Sequence, residues 1–298
     1  MTGAIYYLSL PLIYFISWLP FTVLYWLSDF FYFLVYKVLK YRVGVVHENL
    51  KNSFPEKSEE EIKAIQDGFY SYFCDLLLET LKTLTIKPKT VLKRVEQGDM
   101  SAFDSFYKKG QSVIIVMGHL GNWELAGARF SQGPEHQLYV IYHPLSNKYF
   151  DKLVYHMRTR LGNKLYPMQD AFRGMVRDRN EVTATAFIAD QTPAPKGAYW
   201  STFLNQETPI FVGTSKIAKK LGYPVIYISV DRVKRGYYKL NSELLIEDPK
   251  ALEEDAITEI HTRKLEEDIK RKPELWLWSH RRWKHKNPNK IEDNNVDR

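Results

Sequence analysis

Four short apolar runs, separated by stretches with helical spacing, constrain this chain more than any other feature. They lie at 112–117 (SVIIVM), 138–142 (LYVIY), 183–188 (TATAFI) and 224–230 (PVIYISV), with helical segments near 122–131, 147–160, 170–179 and 210–221. Strands that are apolar throughout, rather than alternating, are buried on both faces, and helices between them supply the cover. The pattern predicts an α/β fold with a mixed, largely parallel sheet flanked by helices. A strand at 237–246 and a helix at 251–270 follow. Ser58 and Glu61 form the pattern of a capping box, and Ile62, Ile65, Phe69, Phe73, Leu76, Thr80 and Leu84 recur at helical spacing. One amphipathic helix over 59–84 is expected.

The chain of 298 residues, 45% hydrophobic and 26% charged, can bury a sizeable core, which excludes a disordered chain, a collagen-like repeat and a disulfide mini-protein. Its single cysteine, Cys74, cannot form an internal disulfide and sits in an apolar helical stretch, so it reads as core filler in a reducing compartment.

No charged side chain occurs from Met1 to Ser28, and only Asp29 precedes Lys37. The run is long enough to cross about 30 Å of hydrocarbon, and it carries Tyr and Trp throughout, which suits interfacial depth as well. A hydrophobic membrane helix is expected. Pro11 and Pro20 would kink it, so a tilted span, a re-entrant hairpin and a helix lying in the interface are all compatible with the sequence, as is a very apolar buried helix. The absence of a basic start and of a small-residue cleavage site disfavours a signal peptide. Lys37, Lys40 and Arg42 place the following chain on the cytoplasmic side by the positive-inside rule, and a mean hydropathy of -0.36 argues against further spans.

Gly118-His119-Leu120-Gly121-Asn122-Trp123-Glu124 follows the strand SVIIVM directly. Ligands in such sheets bind at the carboxyl ends of strands, so a site belongs here. His119 and Glu124 would not share a face of a continuous helix, but a glycine-bearing turn lets Glu124 reach one ring nitrogen of His119. That bond would fix the tautomer and leave the other nitrogen as a general base. With no serine or cysteine of its own, such a dyad activates a substrate nucleophile, for which an acceptor hydroxyl fits. An ordinary surface pair is the alternative. No Walker A loop, GxGxxG, GxSxG, HExxH or cysteine pair occurs, so nucleotide, serine-hydrolase and zinc readings lack their usual support. Neither a metal nor a cofactor is expected.

The box HLGNWE resembles the His-x4-Asp/Glu box of the glycerolipid and lysophospholipid acyltransferase superfamily, and its Gly-Asn-Trp resembles the lipid A late acyltransferase branch. VVHENLKNSFPEKSEEE, IADQTPAPKGAYWSTFLNQETPIFVGTSKIAKKLGYPVI and PELWLWSHRRWK agree in order, spanning about Val45 to Lys284. The resemblance implies a membrane-anchored acyltransferase on the cytoplasmic face of a bacterial inner membrane. Its reaction would move a fatty acyl chain from acyl carrier protein or coenzyme A to a hydroxyl of an anionic lipid, with His119 as general base and Glu124 as its orienting partner. With the apolar N-terminus and the polar end of the chain, the expected division is a membrane anchor over 1–45, an acyltransferase domain over 46–290 and a polar, disordered tail over 291–298.

Further binding residues are expected around this centre. Asn122 lies inside the box. Asp190 and Gln191 follow the strand TATAFI, where they suit polar contact with substrate, support of the His119 loop, or turn capping. Arg158 and Arg160 end a helix, and the resemblance implies that a basic residue of this block contacts the acceptor phosphate, although arginine there also complements a helix dipole. Gly213 and Thr214 open a helix whose amides could hold an oxyanion or phosphate. Arg281 and Arg282, interleaved with Trp276, Trp278 and Trp283, suit an interfacial floor or substrate-binding rim.

The net charge of +7, with seven Lys or Arg against Asp231 over 212–240, favours anionic headgroups and an acidic carrier protein, unless those cations are a solvated face. Nucleic acid is disfavoured for want of an RNA-binding motif. Transfer to another lipid, or a non-catalytic lipid-binding module, are the rival functions.

Overall fold

The computed structural model describes residues 2–288, so the tail expected over 291–298 lies outside the described residues. A seven-stranded sheet organises the chain in the order β1 (Val95–Gln97), β9 (Tyr237–Ile246), β8 (Val225–Lys234), β2 (Val113–Met117), β5 (Thr183–Ile188), β3 (Gln137–Tyr142) and β4 (Lys164–Pro167). Only the β8–β9 pair is antiparallel, so the sheet is mixed and mostly parallel as the strand pattern requires. The strands read from apolar runs appear within a residue at their starts. β1 and β4, of three and four residues, are too short to stand out as hydrophobic runs. A separate hairpin, β6 (Tyr199–Phe203) with β7 (Gln206–Ile210), takes the start of the helix expected from 210, which begins only at Gly213.

Helix α7 (Trp123–Phe130) covers one face of the sheet, packed with α4 (Glu59–Lys82) and α5 (Pro88–Arg94). The other face carries α9 (Ala171–Arg177), α10 (Gly213–Leu221) and α11 (Glu254–Arg271), while α6 (Ser101–Lys108) packs on β9 and α8 (Lys148–Thr159) on β4. The capping box of α4 forms as its sequence predicts: the Glu61 N–H donates to Ser58 Oγ at 3.3 Å and the Ser58 N–H to Glu61 Oε2 at 2.8 Å. Cys74 is buried in α4, and burial pushes its thiol up to about 11.

The uncharged N-terminal run is helical but broken, and one bent pair, Phe21–Val38 with Val43–Ser53, has the length and composition of a span. α1 (Thr2–Trp18) stops before Pro20, α2 (Phe21–Tyr32) restarts there and runs into a π-helical turn over Phe33–Val38, and α3 (Val43–Ser53) follows at a bend of 86°. At Pro20 the missing N–H and fixed φ break the ladder, whereas Pro11 sits inside α1 and the 86° bend falls at Lys40 and Arg42, both with positive φ. Among the described residues no single helix is long and apolar enough to cross a membrane.

The inner faces of α1 and α2 are tied to the domain. Tyr6, Leu10, Ile13 and Tyr14 pack on Leu84, Leu153 and Met157, Ser28 Oγ donates to the buried Asp75 at 2.7 Å, and Lys82 Nζ donates to the carbonyls of Ser17 and Leu19. The outer faces expose Leu8, Leu12, Phe15, Trp26 and Phe30.

Candidate active site

Register in the sheet builds the site. Parallel pairing of β2 with β5 sets Met117 beside Ile188, so that two residues on, past the strand ends, His119 stands beside Asp190. The Asp190 carboxylate takes both hydrogen bonds that this placement offers: the His119 N–H donates to Oδ2 at 2.8 Å, and His119 Nδ1 lies 2.6 Å from Oδ1. Trp276 Nε1 donates to the same Oδ2 at 2.7 Å. Burial alone would raise the Asp190 pKa, but the charge of His119 and these bonds outweigh it and hold the carboxyl down at about 2. An ionised Asp190 fixes Nδ1 as the protonated nitrogen and leaves Nε2 as the basic one.

The turn carrying His119 admits few other sequences. Gly121 has φ +65°, and a Cβ there would collide with the Val230 carbonyl; a Cβ on Gly118 would lie 2.6 Å from Leu265 Cδ1. Leu120 forms a β-bridge with Trp276, and the Gly121 N–H donates to the Leu275 carbonyl at 3.1 Å, so one tryptophan staples both the turn and Asp190. Asn122 caps α7 by accepting from the Leu125 N–H at 3.0 Å, and its amide donates to Glu79 at 2.6 Å. Glu79 is fully buried, which raises its pKa, and also accepts from Tyr25 and Tyr238. Asn122 is buried, with both its amide oxygen and its amide nitrogen engaged by the protein.

The ring bond expected between Glu124 and His119 is absent, because both partners are taken. Arg158 holds Glu124 in a fork, with Nε at 3.0 Å and Nη2 at 2.6 Å from Oε1, while Asp190 occupies His119 Nδ1. The guanidinium expected to meet an acceptor phosphate is thus already paired. Arg160 donates to the carbonyls of Thr83 and Ile86 and closes the end of α4 instead of a binding site.

His119, Glu124, Arg158, Gln191, Tyr142 and His143 border a cavity of about 230 Å³. Its deeper wall is apolar: Ile115, Leu138, Val140 and Ala186 from the sheet, Ala126 and Phe130 from α7. A polar collar thereby opens on a hydrocarbon slot between sheet and helix. Gly213 and Thr214 do begin a helix, but they line a second, apolar cavity. His143, which the sequence reading passed over, follows the end of β3, so its strand-end position was the available signal.

The basic, Trp-rich segment near the end is turned partly inward. Trp276 and Trp278 are buried, and Arg282 is buried against Thr208 and the Pro209 carbonyl, where desolvation lowers its pKa to about 10. Arg281 and Lys284 are exposed. Nor is 212–240 a uniform basic face: Arg232 and Arg235 pair with Asp75, Lys219 with Glu253 and Lys239 with Glu96. Among the described residues no cluster of His, Cys, Asp or Glu could hold a metal ion.

The class of protein that results is an α/β fold with a carboxylate-buttressed histidine at a strand end, beside an apolar cavity. Residues 2–285 match the bacterial lipid A biosynthesis acyltransferase family, and the chain belongs to it. It is 26% identical over 270 residues to the lipid A biosynthesis palmitoleoyltransferase of Escherichia coli K12, covering 89% of this chain and 86% of that protein. The lauroyltransferase of lipid A biosynthesis from the same strain is 24% identical over 287 residues, covering 93% and 90%.

Proposed function

We propose that this protein is a membrane-bound O-acyltransferase that moves an acyl chain from a thioester of acyl carrier protein or coenzyme A to a hydroxyl of lipid A or its precursor. The observation that carries the reading is the His119–Asp190 pair at the mouth of the apolar cavity. His119 Nε2 takes the proton of the acceptor hydroxyl, the oxygen attacks the thioester carbonyl, and the tetrahedral adduct collapses with cleavage of the C–S bond. The proton passes from the imidazolium to the departing thiolate. Asp190 keeps the tautomer and stabilises the imidazolium between these two steps. Glu124 and Arg158 act as one unit at the collar: Arg158 aims the carboxylate, and the pair fixes the polar end of the substrates while the acyl chain lies in the slot.

In this reading the enzyme works at the cytoplasmic face of a bacterial inner membrane, with α1 and α2 lying in the plane of one leaflet. Their outer faces are apolar, and α1 packs along α8 through Tyr6 against Tyr149 and Phe150. Helix α8 exposes Lys148, Lys152 and His156. Carrying α1 across hydrocarbon would take those side chains with it, at roughly 3 kcal/mol for each charged one.

Mass spectrometry of lipids from cells lacking the gene, complemented with wild type or His119→Ala, tests the reaction. Loss of one acyl chain from lipid A, restored by wild type alone, is the expected result. A different lipid losing its chain would move the acceptor, and full restoration by His119→Ala would leave a non-catalytic role.

A further inference from the structure

The second cavity, about 210 Å³, lies on the opposite face of the sheet from the acyl slot. β5 divides the two by its period-two alternation: Ala186 lines the first cavity, Phe187 and Ala189 the second. At the carboxyl end of the sheet the partition ends, and Ile141, Met168 and Ile188 border both. Half-buried Phe172, Phe187, Phe211 and Ile217 make the second cavity apolar. Two hydrocarbon slots therefore converge on one strand-end site, straddling the sheet.

One polar atom in this wall has no partner. Thr214 is 1% exposed, and its Oγ1 makes no hydrogen bond. A buried hydroxyl left without a partner is destabilising, unless a ligand supplies one. Gly213 next to it faces open space, where a Cβ would meet nothing within 4 Å. At the outer edge, Lys220 Nζ stands 4.6 Å from the centroid of the Phe172 ring, a cation suited to an anionic headgroup.

We propose that the second cavity holds an acyl chain of the acceptor lipid, with the Thr214 hydroxyl hydrogen-bonded to an oxygen on that chain, while the first cavity holds the donor chain. The assignment of chains rests on the acyl-transfer reading; the occupancy of the cavity by a hydrocarbon chain does not. Placing one chain on each face of the sheet would bring the acceptor to the shared mouth from the side opposite the donor, so that neither has to vacate the site for the other.

Photolabelling of the full-length protein in detergent micelles tests this, with phosphatidic acid carrying a diazirine at the end of one acyl chain as probe. Labelled peptides from 168–172 and 211–217 are expected, and they should persist when a saturating long-chain acyl-coenzyme A clears label from the first cavity. Gly213→Phe, which fills open space, should abolish that labelling, and Thr214→Val, which keeps the volume and removes the unpartnered hydroxyl, should raise the KM for the acceptor severalfold with the donor KM unchanged and the melting temperature unchanged or higher. Absence of label from these peptides, its displacement by the thioester, or a rise in the donor KM in place of the acceptor KM would overturn the proposal. Persistent label in a wild-type protein that transfers no acyl group would keep the hydrocarbon site and remove the acyl-transfer reading instead.

Discussion

Asp190 receives both the backbone N–H and the ring of His119, at 2.8 and 2.6 Å, so a single carboxylate sets the position of the loop and the tautomer of the base it carries. Asp190→Asn keeps the shape and removes the charge. We expect kcat to fall about 100-fold or more, within the range that positioned acid–base groups supply. Trp276→Phe, which removes one donor from Asp190 but not its charge, should fall less. Steady-state rates on the three proteins check the order, and an Asp190→Asn enzyme with wild-type kcat would assign the base elsewhere.

The same carboxylate makes stability depend on pH. Its folded pKa of about 2 lies below the ordinary aspartate value of 3.8, so its contribution is present above the unfolded pKa and is lost as pH falls through the folded one. That contribution is about 2 kcal/mol. Denaturant melts between neutral pH and pH about 2 should show the wild type losing this increment relative to Asp190→Asn, which lacks the titrating group.

Glu124 and Arg158 are mutually satisfied in a largely desolvated fork. Removing either leaves the other charge uncompensated, whereas removing both leaves none. Glu124→Ala and Arg158→Ala should each destabilise by roughly 3 kcal/mol, with the double variant less damaging than their sum by about 1–3 kcal/mol. A double-mutant cycle of urea melts measures the coupling, and strict additivity would contradict the fork.

Ala186 faces the acyl slot from β5. Ala186→Leu adds bulk in the path of the chain, so kcat/KM across a series of saturated acyl donors should shift toward shorter chains. A uniform loss for every donor would mean general damage in place of a moved floor.

Leu8, Leu12 and Phe15 form one exposed stripe of α1 among the described residues. Replacing all three by Ser should weaken binding to anionic vesicles about 100-fold or more, since each side chain buries roughly 1.5–3 kcal/mol of apolar surface on insertion. Circular dichroism should be unchanged, because the inner face of α1 is untouched. Vesicle flotation compares the proteins, and undiminished flotation would place the membrane contact on another face.

Local sequence determined the elements that carry their own signals: the four apolar strands, the capping box of Ser58 and Glu61, and a glycine-bearing turn that puts His119 at a strand end. Such features depend on residues within a turn or two of each other. Tertiary structure alone decided which carboxylate serves the histidine. Glu124 is near in sequence, but Asp190, just past the end of the neighbouring strand, is set beside His119 by the β2–β5 register, while Arg158, brought by α8, occupies Glu124. The same holds for the uncharged N-terminal run. Its composition fixed that it seeks an apolar setting; the break at Pro20 and packing against α4 and α8 decided that one face meets protein and the other stays bare. Strand order, register and helix faces come from contacts between residues far apart in the chain, and composition and spacing do not encode them one element at a time.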